Sequence, residues 1–189
     1  WAVGDNGTIR KTTDGGLTWQ TQAVDTKEHI LKVSAFDADH AAAVGLGGTV
    51  LFTNDGGTNW VVTIQCSGAV VSGVAYTSES SLMVAGYGGC VARSDDSGAT
   101  WNLVNIYSRS DLLSINFSSE KTGTITDANG LVWLTGDGGS TWLPFNIRTN
   151  PKLVATYFAD NYTGWAVGES GLILRTDDGG SSWQRLSEG

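Results

Sequence analysis

The sequence predicts an all-β chain, a β-propeller of five consecutive four-stranded antiparallel blades, on three observations. The first is a box that recurs five times: TTDGGLTW (12–19), TNDGGTNW (53–60), SDDSGATW (94–101), TGDGGSTW (135–142) and TDDGGSSW (176–183). Its closing Trp falls at Trp19, Trp60, Trp101, Trp142 and Trp183, always 41 residues apart. A fixed period of this length marks a repeat architecture. The second is that other columns keep the period: Gly7, Gly48, Gly89, Gly130 and Gly171, and the β-branched Ile9, Val50, Val91, Val132 and Ile173. The third is composition. Among 189 residues, Gly is 26, Pro 2 and Trp 8, with 16% charged and 40% hydrophobic, which fits many short strands joined by tight turns.

Each unit reads as four strands. In the second unit the first covers roughly 30–36, the second 40–45, the third 49–53 and the fourth 59–64, with turn residues at each boundary. Blades run over about 1–24, 25–65, 66–106, 107–147 and 148–189 of one propeller domain. Innermost strands are visible near 30–36, 71–76, 112–117 and 153–158 only, so the first blade lacks its innermost strand. Two arrangements satisfy this: a five-bladed ring with one three-stranded blade, or an arc of a larger propeller. The expectation adopted is a piece of a longer chain that packs as consecutive blades.

The box reads as architecture. Asp14, Asp55, Asp96, Asp137 and Asp178 sit where a carboxylate accepts N–H bonds within its own turn, and the glycines permit positive φ. Each Trp then offers a wide surface for packing between sheets, with its N–H left for a partner. A phosphate loop would place Lys after the glycines and a helix next, and a calcium loop would place several acids at alternating positions. A catalytic site is used once; this motif occurs five times.

Net charge is −8 and the eleven Lys and Arg are scattered, which argues against nucleic acid as a partner. No apolar run approaches the ~20 residues of a membrane span. Cys66 and Cys90 form no CxxC pair and His numbers only two, so neither a zinc site nor any other metal or cofactor is expected. A disulfide between them would place the chain in an oxidising compartment. The sequence opens at Trp1 rather than Met, which suggests a processed or excised chain.

The boxes resemble the Asp-box, S/T-x-D-x-G-x-T-W, of bacterial-neuraminidase-type (BNR) repeats. The longer units GWAVGESGLILRTDDGGSSW (164–183) and WAVGDNGTIRKTTDGGLTW (1–19) resemble the Ycf48/HCF136-like propellers, the family of the photosystem II assembly and stability factor. The resemblance spans the whole chain. It implies a scaffold that binds protein and carries no catalytic residues. Photosynthetic members have seven blades and a basic patch from an Arg before the S/T of the box. Here that column reads Lys11, Phe52, Arg93, Leu134 and Arg175, so the implied patch is partial.

If the boxes occupy one face, the second-to-third-strand loops and the crossings between blades occupy the other. Those segments vary while the frame repeats, and variable loops on a rigid scaffold are where binding resides. The candidate binding face is Asp5, Lys27, Glu28, Tyr87, Tyr107, Arg109, Asp111, Asp127, Arg148 and Glu169. The expected function is a non-catalytic, protein-binding assembly scaffold, exported, periplasmic or on the cell surface, or in the thylakoid lumen for a true photosystem factor. Two alternatives stand beside it. One is a carbohydrate-active propeller with glycan as ligand, since sialidases and xyloglucanases carry Asp-boxes. A glycosidase needs two carboxylates facing across a cleft. A sialidase also needs three clustered Arg, against Arg109 and Arg148 here. The other is a structural segment of a large surface protein or filament.

Overall fold

The computed structural model describes residues 1–145 and 153–186. It contains five antiparallel sheets in chain order. The first has three strands, β1 (Ala2–Gly4), β2 (Thr8–Lys11) and β3 (Gln20–Thr21). The second is β4 (Ile30–Ala35), β5 (Ala41–Gly45), β6 (Thr49–Thr53) and β7 (Val61–Ile64). The third is β8 (Val71–Tyr76), β9 (Leu82–Gly86), β10 (Val91–Ser94) and β11 (Asn102–Leu103). The fourth is β12 (Leu112–Phe117), β13 (Gly123–Asp127), β14 (Val132–Thr135) and β15 (Leu143–Phe145). The fifth is β16 (Leu153–Phe158), β17 (Gly164–Gly168), β18 (Ile173–Thr176) and β19 (Gln184–Arg185). Every sheet is a meander of neighbours in sequence, and the four complete blades share one irregularity at the start of the inner strand, as between Ile30 and Lys32. The fold is thus the propeller that the period predicts, with a three-stranded first blade.

The box turns are closed by their own side chains. Asp14 accepts from the Thr18 N–H (2.9 Å), the Thr18 hydroxyl (2.6 Å) and the Thr12 hydroxyl (2.7 Å), and Thr12 in turn accepts from the Gly16 N–H (2.8 Å). These donors hold the Asp14 carboxyl down at about 2, the Thr18 hydroxyl contributing most. The Thr141 hydroxyl does the same for Asp137, also to about 2. Asp55, Asp96 and Asp178 are lowered likewise, led by the Asn59 N–H, the Thr100 hydroxyl and the Ser182 hydroxyl. The Trp N–H groups are not left for outside partners. Trp19, Trp101, Trp142 and Trp183 donate to the carbonyls of Gly16, Gly98, Gly139 and Gly180, three residues back. Trp60 is the exception: its N–H is buried without a partner among the described residues, and its ring meets Trp1 edge-on at 5.4 Å.

Blades stack through one repeated interface. Alternate residues of each second and third strand face the next blade, and the next blade presents its own alternate set plus its box Trp. Ile9 of the first blade thus meets Ala43 and Leu51 with Trp60 alongside. Val44 and Val50 meet Val84 and Ala92 with Trp101. Ala85 and Val91 meet Ile125 and Trp133 with Trp142. Val132 meets Ala166 and Leu174 with Trp183. At two of these seams a cation clasps the neighbour: Lys11 Nζ donates to the carbonyl of Gly56 (2.8 Å) and Arg93 Nη1 to that of Gly138 (2.6 Å), each the glycine that follows the Asp of the next box. The column that the resemblance reads as a surface patch is, at these two positions, mortar between blades. Inner strands adjoin in the order β4, β8, β12, β16, and among the described residues the first and fifth sheets do not pack as neighbours.

Candidate functional site

The turns between first and second strands lie with the boxes, as the Gly56 N–H to Asp39 carbonyl bond (2.9 Å) shows. The opposite face therefore carries the second-to-third-strand turns and the crossings from one blade to the next. These two sets interlock. The Gly7 N–H donates to the Glu28 carbonyl (2.8 Å), and a Cβ on Gly89 would overlap the Ser108 carbonyl. Glycine stands in this column because a crossing strand lies directly on it with φ positive, +78° at Gly89.

The crossing into the fourth blade, residues 104–111, separates two hollows. The larger, about 610 Å³, is an open groove lined by Tyr107, Ser108, Arg109, Ser110 and Asp111 on one side, and by Asp127–Asn129, Leu131, Trp133 and Pro144 on the other. The smaller, about 380 Å³, is lined by Tyr87–Val91, Leu103–Asn105 and the Cys66–Cys90 disulfide. That disulfide ties the crossing into the third blade to the start of β10 in the same blade, rather than bridging adjacent blades, with 5.6 Å between Cα atoms.

Four of the ten expected face residues meet in the larger groove. Tyr107 is 89% exposed and held at φ +59°, a backbone region that costs a non-glycine residue about 1 kcal/mol or more. Arg109 is exposed. The arginine ion pairs are Arg93–Asp95 and Arg175–Asp177, and Arg109 has none among the described residues. Asp111 spends one carboxylate oxygen on the Gly88 N–H (2.9 Å), fastening the crossing to the third blade. Asp127 departs from expectation: it is fully buried. One oxygen accepts from the N–H groups of Asn129 (2.9 Å) and Leu131 (3.0 Å), and the other from the Trp133 indole N–H (3.1 Å). It closes the β13–β14 turn and is not a solvent-facing group.

The other candidates lie apart. Asp5 is exposed beside His29 Nδ1 at 2.7 Å, and Lys27 and Glu28 are exposed in the crossing into the second blade. Tyr87 is 41% exposed over the smaller hollow, and Glu169 is exposed at the β17–β18 turn. Arg148 lies outside the described residues. Groove residues that the sequence reading did not single out are Ser108, Ser110, Leu131, Trp133 and Pro144. One signal was available: Trp133 is the odd member of the column Arg10, Leu51, Ala92, Trp133 and Leu174. Among the described residues no group of three His, Cys, Asp or Glu could hold a metal ion, and no helix is long and apolar enough to cross a membrane.

The sequence profile described as photosynthesis system II assembly factor YCF48 matches residues 1–102 and again 99–188. The chain belongs to this family. No curated protein sequence matches it. Solved structures resemble it in fold at low identity. One titled "YCF48 bound to D1 peptide" is 15% identical, with TM-score 0.55, covering 86% of this chain and 82% of the other. YCF48 from Cyanidioschyzon merolae is 16% identical, with TM-score 0.73, covering 95% of this chain and 66% of the other. An ancestral GH74 enzyme is 15% identical, with TM-score 0.78, covering 97% of this chain and only 29% of the other. At these identities the likeness speaks for the propeller alone; membership of the YCF48 family rests on the profile.

Proposed function

We propose that this propeller is a non-catalytic protein-binding scaffold of the assembly-factor kind, and that the groove between Tyr107–Asp111 and Trp133 receives an extended segment of its partner. The observation that carries this reading is how the groove's polar groups are used. Asp127 has both oxygens occupied by its own turn, and Asp111 is tied to Gly88. Arg109, the Ser108 and Ser110 hydroxyls and Asn129 line the same groove. Such a surface donates hydrogen bonds and offers no pair of uncommitted acids for general acid–base work. It suits a carboxylate flanked by apolar or aromatic residues, which the exposed Tyr107 ring would cover. Family membership supports the scaffold role, and the D1 peptide of the YCF48 structure supports a peptide as the class of partner. The disulfide supports residence outside the reducing cytosol.

The test is titration calorimetry with short peptides ending in an aromatic residue and a free carboxylate, against the same peptides amidated. The expected result is binding that falls about tenfold on amidation and again in Arg109→Ala, as loss of one charge-assisted bond of ~1.5 kcal/mol implies. Turnover of xyloglucan or another glycan, lost on replacing one exposed acid, would instead favour the carbohydrate-active reading that the GH74 likeness keeps in view.

A further inference from the structure

The Cys66–Cys90 disulfide lines the smaller hollow, yet a short chain of contacts joins it to the groove. In the first three blades the turn between second and third strands carries the crossing that leaves the blade. In the first blade the Gly7 N–H donates to the Glu28 carbonyl, and in the second the Gln65 N–H donates to the Gly48 carbonyl, both at 2.8 Å. The third blade has no such backbone bond among the described residues. There the Ser108 carbonyl lies directly against Gly89, and the Gly88 N–H donates to the Asp111 carboxylate (2.9 Å). Asp111 also accepts, through its own carbonyl, from the Ala128 N–H of the fourth blade (2.8 Å). Residues 107–111 form one wall of the groove. The placement of that wall therefore depends on where Tyr87–Gly89 sits.

The disulfide is what fixes that turn from the other side. Cys90 directly follows Gly89, and its bond to Cys66 pins the turn to the crossing that enters the third blade. The entering crossing does not keep its shape by preference. Cys66 and Ser67 are consecutive non-glycine residues at φ +55° and +52°, in the left-handed region that L side chains disfavour. With the sulfur bond open, this segment is free to relax toward ordinary backbone. The turn would keep the Tyr87 N–H bond to the Val70 carbonyl (2.9 Å) but lose the covalent tie beside Gly89. The bond is also within reach of solvent. Cys66 is buried, but Cys90 is only half-buried, and both line an open hollow of about 380 Å³.

We infer that the Cys66–Cys90 disulfide is a redox lock on the groove: a dithiol reductant that opens it loosens the wall at residues 107–111 and weakens partner binding. The weakened binding rests on the reading of the groove given above; the loosened wall does not. One thiolate of the dithiol attacks the Cys90 sulfur, the S–S bond breaks, and the departing Cys66 thiolate takes up a proton. The second thiol gives up its proton and displaces Cys90, which is protonated in turn. Two electrons thus pass to the protein, and the reductant leaves as a disulfide. Oxidised, the protein presents a preformed wall; reduced, it must order that wall at the moment of binding, which costs affinity.

Dithiothreitol serves as the reductant. Thiols are counted, and residue-resolved hydrogen exchange is followed before reduction, after it and after reoxidation. The expected result is that the folded protein yields both thiols and that the Gly88 amide then exchanges about tenfold faster, reversibly. The Asn129 and Leu131 amides, held by Asp127, should be unchanged. Calorimetry with the free-carboxylate aromatic peptide should give an affinity about fivefold lower for the reduced protein. The pair Cys66→Ser with Cys90→Ser should behave as the reduced protein does. Asp111→Ala removes the carboxylate between turn and crossing, so its affinity should already be low and fall no further on reduction. A disulfide that opens only on unfolding, Gly88 exchange unmoved by reduction, or equal acceleration at Asn129 and Leu131 overturns the lock. Equal peptide affinity in both states, with Gly88 loosened, overturns its control of the groove. No peptide binding in either state, with Gly88 loosened, sinks the reading of the groove and supports the lock on the wall.

Discussion

Arg93 and Arg175 occupy the same column, two blades apart, and do different things. Arg93 bonds its own Asp95 and also reaches the Gly138 carbonyl of the next box, which welds the third blade to the fourth. Arg175 bonds Asp177 of its own box, lies 6.0 Å from the Trp165 ring and meets no glycine of another box among the described residues. The surrounding side chains follow suit. In the third blade β9 is buried along its length, because blades press on both of its faces. In the fifth, Ala166, Leu172 and Leu174 are buried against the fourth blade, while Tyr157, Val167 and Ile173 on the other face are exposed. The same repeat therefore reads as core or as surface according to whether a neighbour is present. Its stability is largely a sum over seams, as in other stacked repeats.

The largest test of this difference is a pair of truncations. Met83→Ala, in a fully buried position facing the fourth blade, should cost about 3 kcal/mol, whereas Ile173→Ala on the exposed face should cost under about 1 kcal/mol. Urea denaturation of both variants compares them, and equal costs would erase the distinction between seam and end face. A second pair probes the boxes themselves. Gly139 and Gly16 hold the same turn position with φ of +84° and +94°. A Cβ on Gly139 would overlap the Met83 sulfur, whereas on Gly16 it meets only the Trp19 ring at 3.8 Å. Both changes to Ala incur the left-handed backbone penalty of about 1 kcal/mol, and Gly139→Ala should add about 2 kcal/mol for overpacking.

Smaller effects sharpen the picture. Arg93→Ala should lose about 1 kcal/mol in a melting experiment, and Arg175→Ala close to nothing, since the latter gives up only an exposed pair. The box acids impose a pH dependence that all five blades share. Their folded carboxyls lie below the ordinary 3.8, at about 2 for Asp14 and Asp137. A lowered folded value means stability that is fully present above the ordinary value and lost as pH falls through the folded one. Melting temperature should thus drop between about pH 4 and pH 2. Asp14→Asn and Asp137→Asn should each flatten that drop.

Much of this architecture was legible because it is periodic. A 41-residue step fixes the box, the glycine under each crossing and the β-branched column at once, and strand bounds follow to within a residue or two. What periodicity could not convey was which partner each repeated group meets. The cations at Lys11 and Arg93 look in sequence like those of a surface patch, and only the stacking of blades brings the next glycine carbonyl beneath them. Asp127 reads as a polar turn residue. Its burial depends on Trp133, six residues on, folding back to donate to it. The groove was half visible: Tyr107, Arg109 and Asp111 stand out as departures from the repeat, whereas Leu131 and Pro144 are ordinary residues that matter only through the hairpin that carries them.

On the proposed function, labour is divided: the repeated acids hold turns and the unrepeated crossing binds. Peptide affinity and melting temperature measured together on Asp137→Asn and Arg109→Ala test it most directly. The expected result is that Asp137→Asn melts earlier yet binds as the parent does while folded, and that Arg109→Ala melts as the parent does yet binds about tenfold more weakly. Lost binding in a fully stable Asp137→Asn, with Arg109→Ala unaffected, would contradict it.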